Sequence, residues 1–175
     1  SLDGSNVVIL GGTGPVGVAS AVICAKAGAN VILIGRNIEK VGKVAGICND
    51  RYKSKNVKPG ADADKSEYFK IADVVLNTGA AGIQLMTEEH IKNSDTLKIC
   101  ADTNAVPPAG IAGVDVMDNA KLIETSPSKC LGIGALAIGN IKYKAQHECL
   151  KLMYTSEKPV YLDFEDAFKF AQQSV

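Results

Sequence analysis

Short β-branched runs alternate along the chain with segments whose apolar residues recur at helical spacing. Asn6-Val7-Val8-Ile9-Leu10 is an apolar run ending in glycines, the pattern of a strand buried on both faces. Pro15 to Ala27 predicts a helix, with proline in the first turn, where its missing N–H costs nothing, and Gly28 closing it. Asn30 to Ile34 predicts a second strand. Asn37 to about Tyr52 predicts a helix that opens on an Asn cap and Glu39. Lys53 to Lys70 is less regular and predicts a short strand near Val57 and a helix over Lys65 to Ile71. Asp73 to Asn77 predicts a strand, Thr87 to Asn93 a short helix, and Leu97 to Ala101 another strand. Cys130 to Ile133 predicts a sixth strand, Leu136 to Tyr154 a long helix, and Phe164 to Ala171 a final amphipathic one.

Such alternation implies a parallel sheet covered on both faces by helices, a three-layer α/β/α, doubly wound sheet of the Rossmann type. In these sheets ligands bind beyond the carboxyl ends of the strands, where strand order reverses. The loops after the first, fourth and fifth strands are therefore where function is expected. No linker or repeat interrupts the pattern, so residues 1–175 read as one domain. The last helix carries Phe164, Ala167, Phe168 and Ala171 on one face, and what covers that face is open: its own sheet, or a further domain.

Composition narrows the class. With 46% apolar residues and 19 basic against 19 acidic side chains, disorder is excluded and no basic footprint for nucleic acid is expected. No apolar run is long enough to span a bilayer, and Ser1-Leu2-Asp3-Gly4 does not look like a signal peptide. A first residue other than Met suggests a processed chain or part of a longer one. The five cysteines are odd in number and lack C-x-x-C spacing, which predicts reduced thiols and a cytoplasmic protein. His147 and Cys149, two apart on a predicted helix, point in different directions, so no metal site is expected.

Gly12-Thr13-Gly14-Pro15-Val16-Gly17 fits G-x-G-x-x-G, follows a predicted strand and opens a predicted helix, the context that makes this pattern a dinucleotide signal. Gly12 permits the turn, Gly14 lets a pyrophosphate approach the backbone, and Gly17 lets helix and sheet pack closely. The helix N-terminus adds N–H donors and partial positive charge. At the end of the second strand, where an NAD site usually places Asp or Glu, stands Gly35-Arg36-Asn37. A guanidinium there, with Lys40 one turn further on, favours the 2′-phosphate of NADP.

Four stretches carry a resemblance: GGTGPVG at Gly11 to Gly17, NTGAAGIQLM at Asn77 to Met86, ADTNAVPPAGIAGVD at Ala101 to Asp115, and GALAIGNIKYK at Gly134 to Lys144. Across these the chain resembles the cofactor domain of the NADP-dependent methylene-tetrahydromethanopterin and methylene-tetrahydrofolate dehydrogenases of one-carbon metabolism. Such enzymes carry an N-terminal domain holding most of the pterin site, and the resemblance implies that this part is missing here. It implies hydride transfer from the methylene bridge of a reduced pterin to NADP. It assigns Thr13, Gly14, Pro15 and Val16 to the pyrophosphate and Arg36 with Lys40 to the 2′-phosphate. Asn77, Thr78 and Gly79 fall to the nicotinamide-side ribose. Asn104 follows the fifth strand, with Pro107, Pro108 and Gly110 stiffening a loop beside the nicotinamide, and Lys142 lies near the pterin. A homo-oligomer is compatible with all of this.

Two other readings compete. A short-chain reductase would use a Tyr-x-x-x-Lys dyad, which Tyr154 and Lys158 match, but Tyr154 follows the sixth strand rather than the fifth and Pro159 ends the helix. A non-catalytic NADP(H) sensor or regulatory module is the reading from another class.

Overall fold

Val7, Val8, Ile9 and Leu10 are fully buried, and they make β1 (Asn6–Leu10) an interior strand of the sheet. The computed structural model describes residues 1–173. β2 (Asn30–Gly35) and β4 (Val74–Asn77) pair with β1 on either side, both parallel to it. β3 (Val57–Ala61) extends the sheet beyond β2, and β5 (Ile99–Asp102) extends it beyond β4. β7 (Leu131–Ile133) lies parallel to β5, and β6 (Asn119–Leu122) closes the far edge antiparallel to β7. The strand order is β3-β2-β1-β4-β5-β7-β6, a Rossmann-type order with one antiparallel strand added at its edge. That added strand escapes the hydrophobic pattern because all four of its residues are exposed. β3 is faint for a related reason: it is the opposite edge strand, where Pro59 is tolerated because no neighbour needs its N–H.

The helices are α1 (Pro15–Lys26), α2 (Ile38–Arg51), α3 (Lys65–Ile71), α4 (Glu88–Lys92), α5 (Ala135–Thr155) and α6 (Phe164–Gln172). Alternate residues of β1 supply the two faces of the sheet. Val7 and Ile9 join a cluster with Val22, Leu33, Val41 and Cys48, while Val8 and Leu10 join one with Ile34, Phe69, Met86 and Ile91. Each fully buried aliphatic side chain contributes about 1.5–3 kcal/mol, which is why the central strands are the most firmly specified part of the fold.

Neighbouring helices cover the last helix in part, and its apolar face stays open to a groove. α6 lies against α5 and α1; Phe164 meets Tyr52 at 5.4 Å between ring centroids, and Lys26 Nζ pairs with Glu165 at 2.8 Å. Its apolar face, Phe164, Ala167, Phe168 and Ala171, forms one wall of a groove of about 1020 Å³ whose other wall is α5. Among the described residues, no helix is long and apolar enough to cross a membrane, and no three His, Cys, Asp or Glu side chains stand close enough to hold a metal ion.

Candidate functional site

A crevice of about 410 Å³ opens over the carboxyl ends of β1, β2, β3 and β4. Its lining includes Gly11, Thr13 and Gly14 from the loop after β1, Gly35 and Arg36 after β2, Asp62 after β3, and Thr78, Gly79, Ile83 and Leu85 after β4.

The glycine loop is set by contacts that no side chain would survive. Gly11 has φ +69°, and a Cβ there would run into the backbone of Gly79, so the loops after β1 and β4 touch directly. A Cβ on Gly17 would meet Gly12 Cα at 2.6 Å, which seats α1 hard against the loop. Gly14 differs: the nearest atom to a Cβ would be Gly11 O at 3.8 Å, so its missing side chain opens space rather than relieving a clash. Gly14 also caps α1 without any side-chain hydrogen bond, and the helix's first turn holds no acidic residue. The first N–H groups of α1, beside Gly14 in the crevice lining, therefore meet no side-chain cap and no acidic neighbour, an arrangement suited to an anionic group. Pro15 and Val16 stand exposed at the start of the helix and are not among the residues that line the crevice.

Arg36 is exposed and forms no ion pair among the described residues, so its guanidinium is free for an incoming anion. Lys40 does not line the crevice. Its N–H donates to Asn37 Oδ1 at 2.9 Å, which caps α2, and its side chain is exposed.

At the tips of β4 and β5 the polar residues turn inward. Asn77 is 0% exposed; Nδ2 donates to Asp102 Oδ1 at 2.7 Å and Oδ1 accepts from the Gly79 N–H at 3.0 Å. Asp102, 2% exposed, also accepts from Asn104 N at 2.9 Å, Gly110 N at 2.7 Å and Ile111 N at 3.0 Å. Four donors thus satisfy one buried carboxylate, the condition under which such a charge is tolerated inside a protein. Asn104 is held in the same way: Oδ1 accepts from Val106 N at 2.9 Å and Gly82 N at 3.3 Å, and Nδ2 donates to Pro108 O at 2.8 Å. Gly110 O in turn accepts from Leu85 N at 2.8 Å, so the loop after β5 positions the crevice wall that Leu85 forms.

Of the residues expected at the cofactor, Thr13, Gly14, Arg36, Thr78 and Gly79 line one crevice. Gly12 and Gly17 pack beneath it, and the side chains of Asn77 and Asn104 are spent on the loops. Lys142 lines the α5–α6 groove with Ala101, Ile138 and Ile141, and that groove shares no lining residue with the crevice. Tyr154 is 92% exposed on the last turn of α5, and Lys158 lies past the end of that helix. Two residues went unnoticed in the sequence. Asp62 follows the faint edge strand; Asp102 ends an apolar strand, and an acid there was the available signal.

Sequence relatives stand beside this geometry. No protein-family model matches the chain. It is 40% identical over 97% of its length to "NAD(P)-dependent methylenetetrahydromethanopterin dehydrogenase" of Methylorubrum extorquens, covering 58% of that protein. It is 36% identical over 99% of its length to "Bifunctional protein MdtA" of the same organism, covering 59% of it. The chain thus spans a little under three-fifths of the length of these relatives. Among solved structures, quinate dehydrogenase from Corynebacterium glutamicum in complex with NAD superposes with TM-score 0.59 at 16% identity, over 100% of this chain and 56% of that one. Mycobacterium tuberculosis shikimate dehydrogenase superposes with TM-score 0.54 at 14% identity, over 95% of this chain and 56% of that one. At such identities the likeness speaks for the Rossmann-type fold alone. The sequence match is of another order: over nearly its whole length the chain is similar to a methylenetetrahydromethanopterin dehydrogenase, of whose length it spans a little over half.

Proposed function

We propose that the chain is the NADP-binding domain of an oxidoreductase that transfers a hydride from the methylene group of methylene-tetrahydromethanopterin, or methylene-tetrahydrofolate, to NADP. The observation that carries this reading is the crevice, in which an uncapped helix N-terminus and an unpaired guanidinium flank one slot. The residues fit the group: Gly14 leaves room for a pyrophosphate above α1, and Arg36 offers a bidentate partner to a 2′-phosphate at a place where an acid would repel it. When bound, the nicotinamide supplies the hydride acceptor. The chain's own part is positioning. Thr78 Oγ1 and N both donate to Leu10 O, at 2.8 and 2.9 Å, fixing the β4 loop against β1. The Asp102 network sets Leu85 and the Pro107-Pro108 loop beside it. Rigid placement of this kind is what hydride transfer needs most, since no proton moves with the hydride. The pterin is inferred from the names of the relatives, and Lys142 is proposed to orient it, with most of the pterin site lying on polypeptide outside this chain.

A regulatory NADP(H)-binding module is the second reading. The observation favouring it is that Lys142 stands outside the crevice. Calorimetric titration with NADP and NAD, followed by a hydride-transfer assay of the full encoded polypeptide with each methylene-pterin, tests both. NADP binding with turnover supports the enzyme; NADP binding without turnover supports the module; no binding of either nucleotide removes both.

A further inference from the structure

Two sides of the crevice are carried by short elements that follow their strands. Asp62 opens a single 3₁₀ turn, Asp62–Asp64, that runs into α3, while Ile83 and Leu85 run into α4 by way of Thr87, its N-cap. His90 joins the two elements. It holds the third position of α4, and its Nδ1 accepts from the Thr87 N–H at 3.0 Å, the place that Glu or Gln takes in an ordinary capping box. The Thr87 hydroxyl stands 3.1 Å from the same nitrogen. Nε2 lies 3.1 Å from Ser66 Oγ on α3, and the ring meets Phe69 of that helix edge-on at 5.0 Å between centroids. Among the described residues no other hydrogen bond joins α3 to α4.

A backbone N–H can only donate, so Nδ1 offers its lone pair and the proton of the neutral ring sits on Nε2, where it donates to Ser66. A second ring proton can go only to Nδ1, where it would point at the Thr87 N–H, and the charged ring would have to leave its cap. We propose that His90 is a positioning residue for the crevice: in its neutral form it ties the α3 and α4 sides together, and its protonation lets them part. The consequence for a bound dinucleotide rests on the reading given above; the tie itself does not. The surroundings favour the neutral ring. Burial and then the Lys65 ammonium hold His90 below its ordinary 6.5, against Glu89 and Asp62, which pull the other way. The remaining charges of these elements are the pairs Glu67–Lys70 and Glu88–Lys92 and the exposed Asp64.

The chain holds two histidines, so nitrogen-15 ring spectra carry two sets of signals, and His90→Gln assigns those of His90. At neutral pH His90 should appear as the Nε2–H tautomer and titrate with a midpoint below 6.5. An Nδ1–H tautomer overturns the tie, whatever the crevice binds. Glutamine accepts the Thr87 N–H at every pH, so both proteins are titrated with NADP by calorimetry about one pH unit above and below that midpoint. The 2′-phosphate titrates alike in the two experiments, which leaves the ratio of the two affinities as the readout. Wild-type affinity should fall about fivefold relative to His90→Gln on going to the lower pH, the worth of one hydrogen bond. A constant ratio overturns the release, and so does a wild-type affinity that rises because the new ring charge attracts the phosphates. Failure of both proteins to bind NADP above the midpoint overturns the dinucleotide reading and the binding consequence with it, while the tautomer still decides the tie. Circular dichroism checks that His90→Gln is folded; if it is not, His147→Gln assigns the same spectra.

Discussion

Asn77 ends β4 and Asp102 ends β5; they are register partners in the sheet, and the Asn77 amide donates to the Asp102 carboxylate at 2.7 Å. That pairing joins the two loops beyond the strands, because the same carboxylate collects the N–H groups of Asn104, Gly110 and Ile111. Gly110 must be glycine here, since a Cβ would overlap the Asn77 amide.

Removing this centre should be costly. Asp102→Ala strands four donors in a dry interior and should lower unfolding free energy by about 3–5 kcal/mol. Asp102→Asn keeps the shape but turns an NH2 toward groups that are themselves donors, and should cost about 1.5–3 kcal/mol. Urea unfolding midpoints measure both. A loss below about 1 kcal/mol for the alanine variant would mean that water replaces the carboxylate, and the loop would need another organiser.

The glycine loop separates fold from function within three residues. Gly17→Ala pushes a methyl group into the Gly12 backbone at 2.6–2.8 Å and should destabilise the protein by about 1–3 kcal/mol. Gly14→Ala meets open space, so stability should change by less than about 0.5 kcal/mol. NADP affinity should nonetheless fall by about tenfold or more, because the methyl occupies the approach to the helix N-terminus. Thermal unfolding and calorimetry on the same two proteins distinguish the roles, and unchanged binding in Gly14→Ala would move the pyrophosphate elsewhere.

Arg36→Ser should remove about 1.5–3 kcal/mol of NADP binding, the worth of hydrogen bonds to a charged group, with little effect on NAD. Equal losses for both nucleotides would assign Arg36 to the pyrophosphate or the fold instead.

Lys142 lies on α5 outside the crevice, so Lys142→Ala in the full polypeptide should leave NADP affinity unchanged. Oxidation of the methylene-pterin should fall by about tenfold in kcat/KM, the loss of one orienting interaction in the transition state. A fall in NADP affinity would instead bring Lys142 to the cofactor.

Burial on α1 pushes the Cys24 thiol up to about 11 from its ordinary 9.0, through desolvation of the thiolate. The folded state therefore holds its proton more tightly than the unfolded one. This contribution is fully present below pH 9 and is lost as pH rises toward 11, because the unfolded chain ionises first. Unfolding free energy should drop across that window by about 2–3 kcal/mol more in the wild type than in Cys24→Ala, whose baseline is lower at every pH. Parallel pH profiles for the two proteins would refute the assignment.

The elements of this fold were legible because each rests on local spacing. Val7 to Leu10 forms a strand wherever it finds a neighbour, and Pro15 after Gly14 opens a helix whatever surrounds it. β6 was not legible, since all its residues face solvent and only the hydrogen bonds of β7 make it a strand. The same boundary runs through the candidate site. Thr13, Gly14 and Arg36 could be placed at the crevice from their position after a strand. Asn77 and Asn104 look like ligand groups in sequence, yet their amides are taken by partners that the fold brings to them: Asp102, 25 residues from Asn77, and Gly82, 22 residues from Asn104. Asp62 becomes a neighbour of Arg36 only when β3 aligns beside β2.

Sequence by itself determined the order of every strand and helix but β6, the parallel core of the sheet and the glycine loop, because hydrophobic period and backbone freedom are properties of consecutive residues. Tertiary structure alone decided which polar side chains are spent inside the protein and which face the crevice. That choice belongs to hydrogen bonds between strands and loops distant along the chain, and an asparagine carries no local mark of whether its partner will be a neighbouring carboxylate or a ligand.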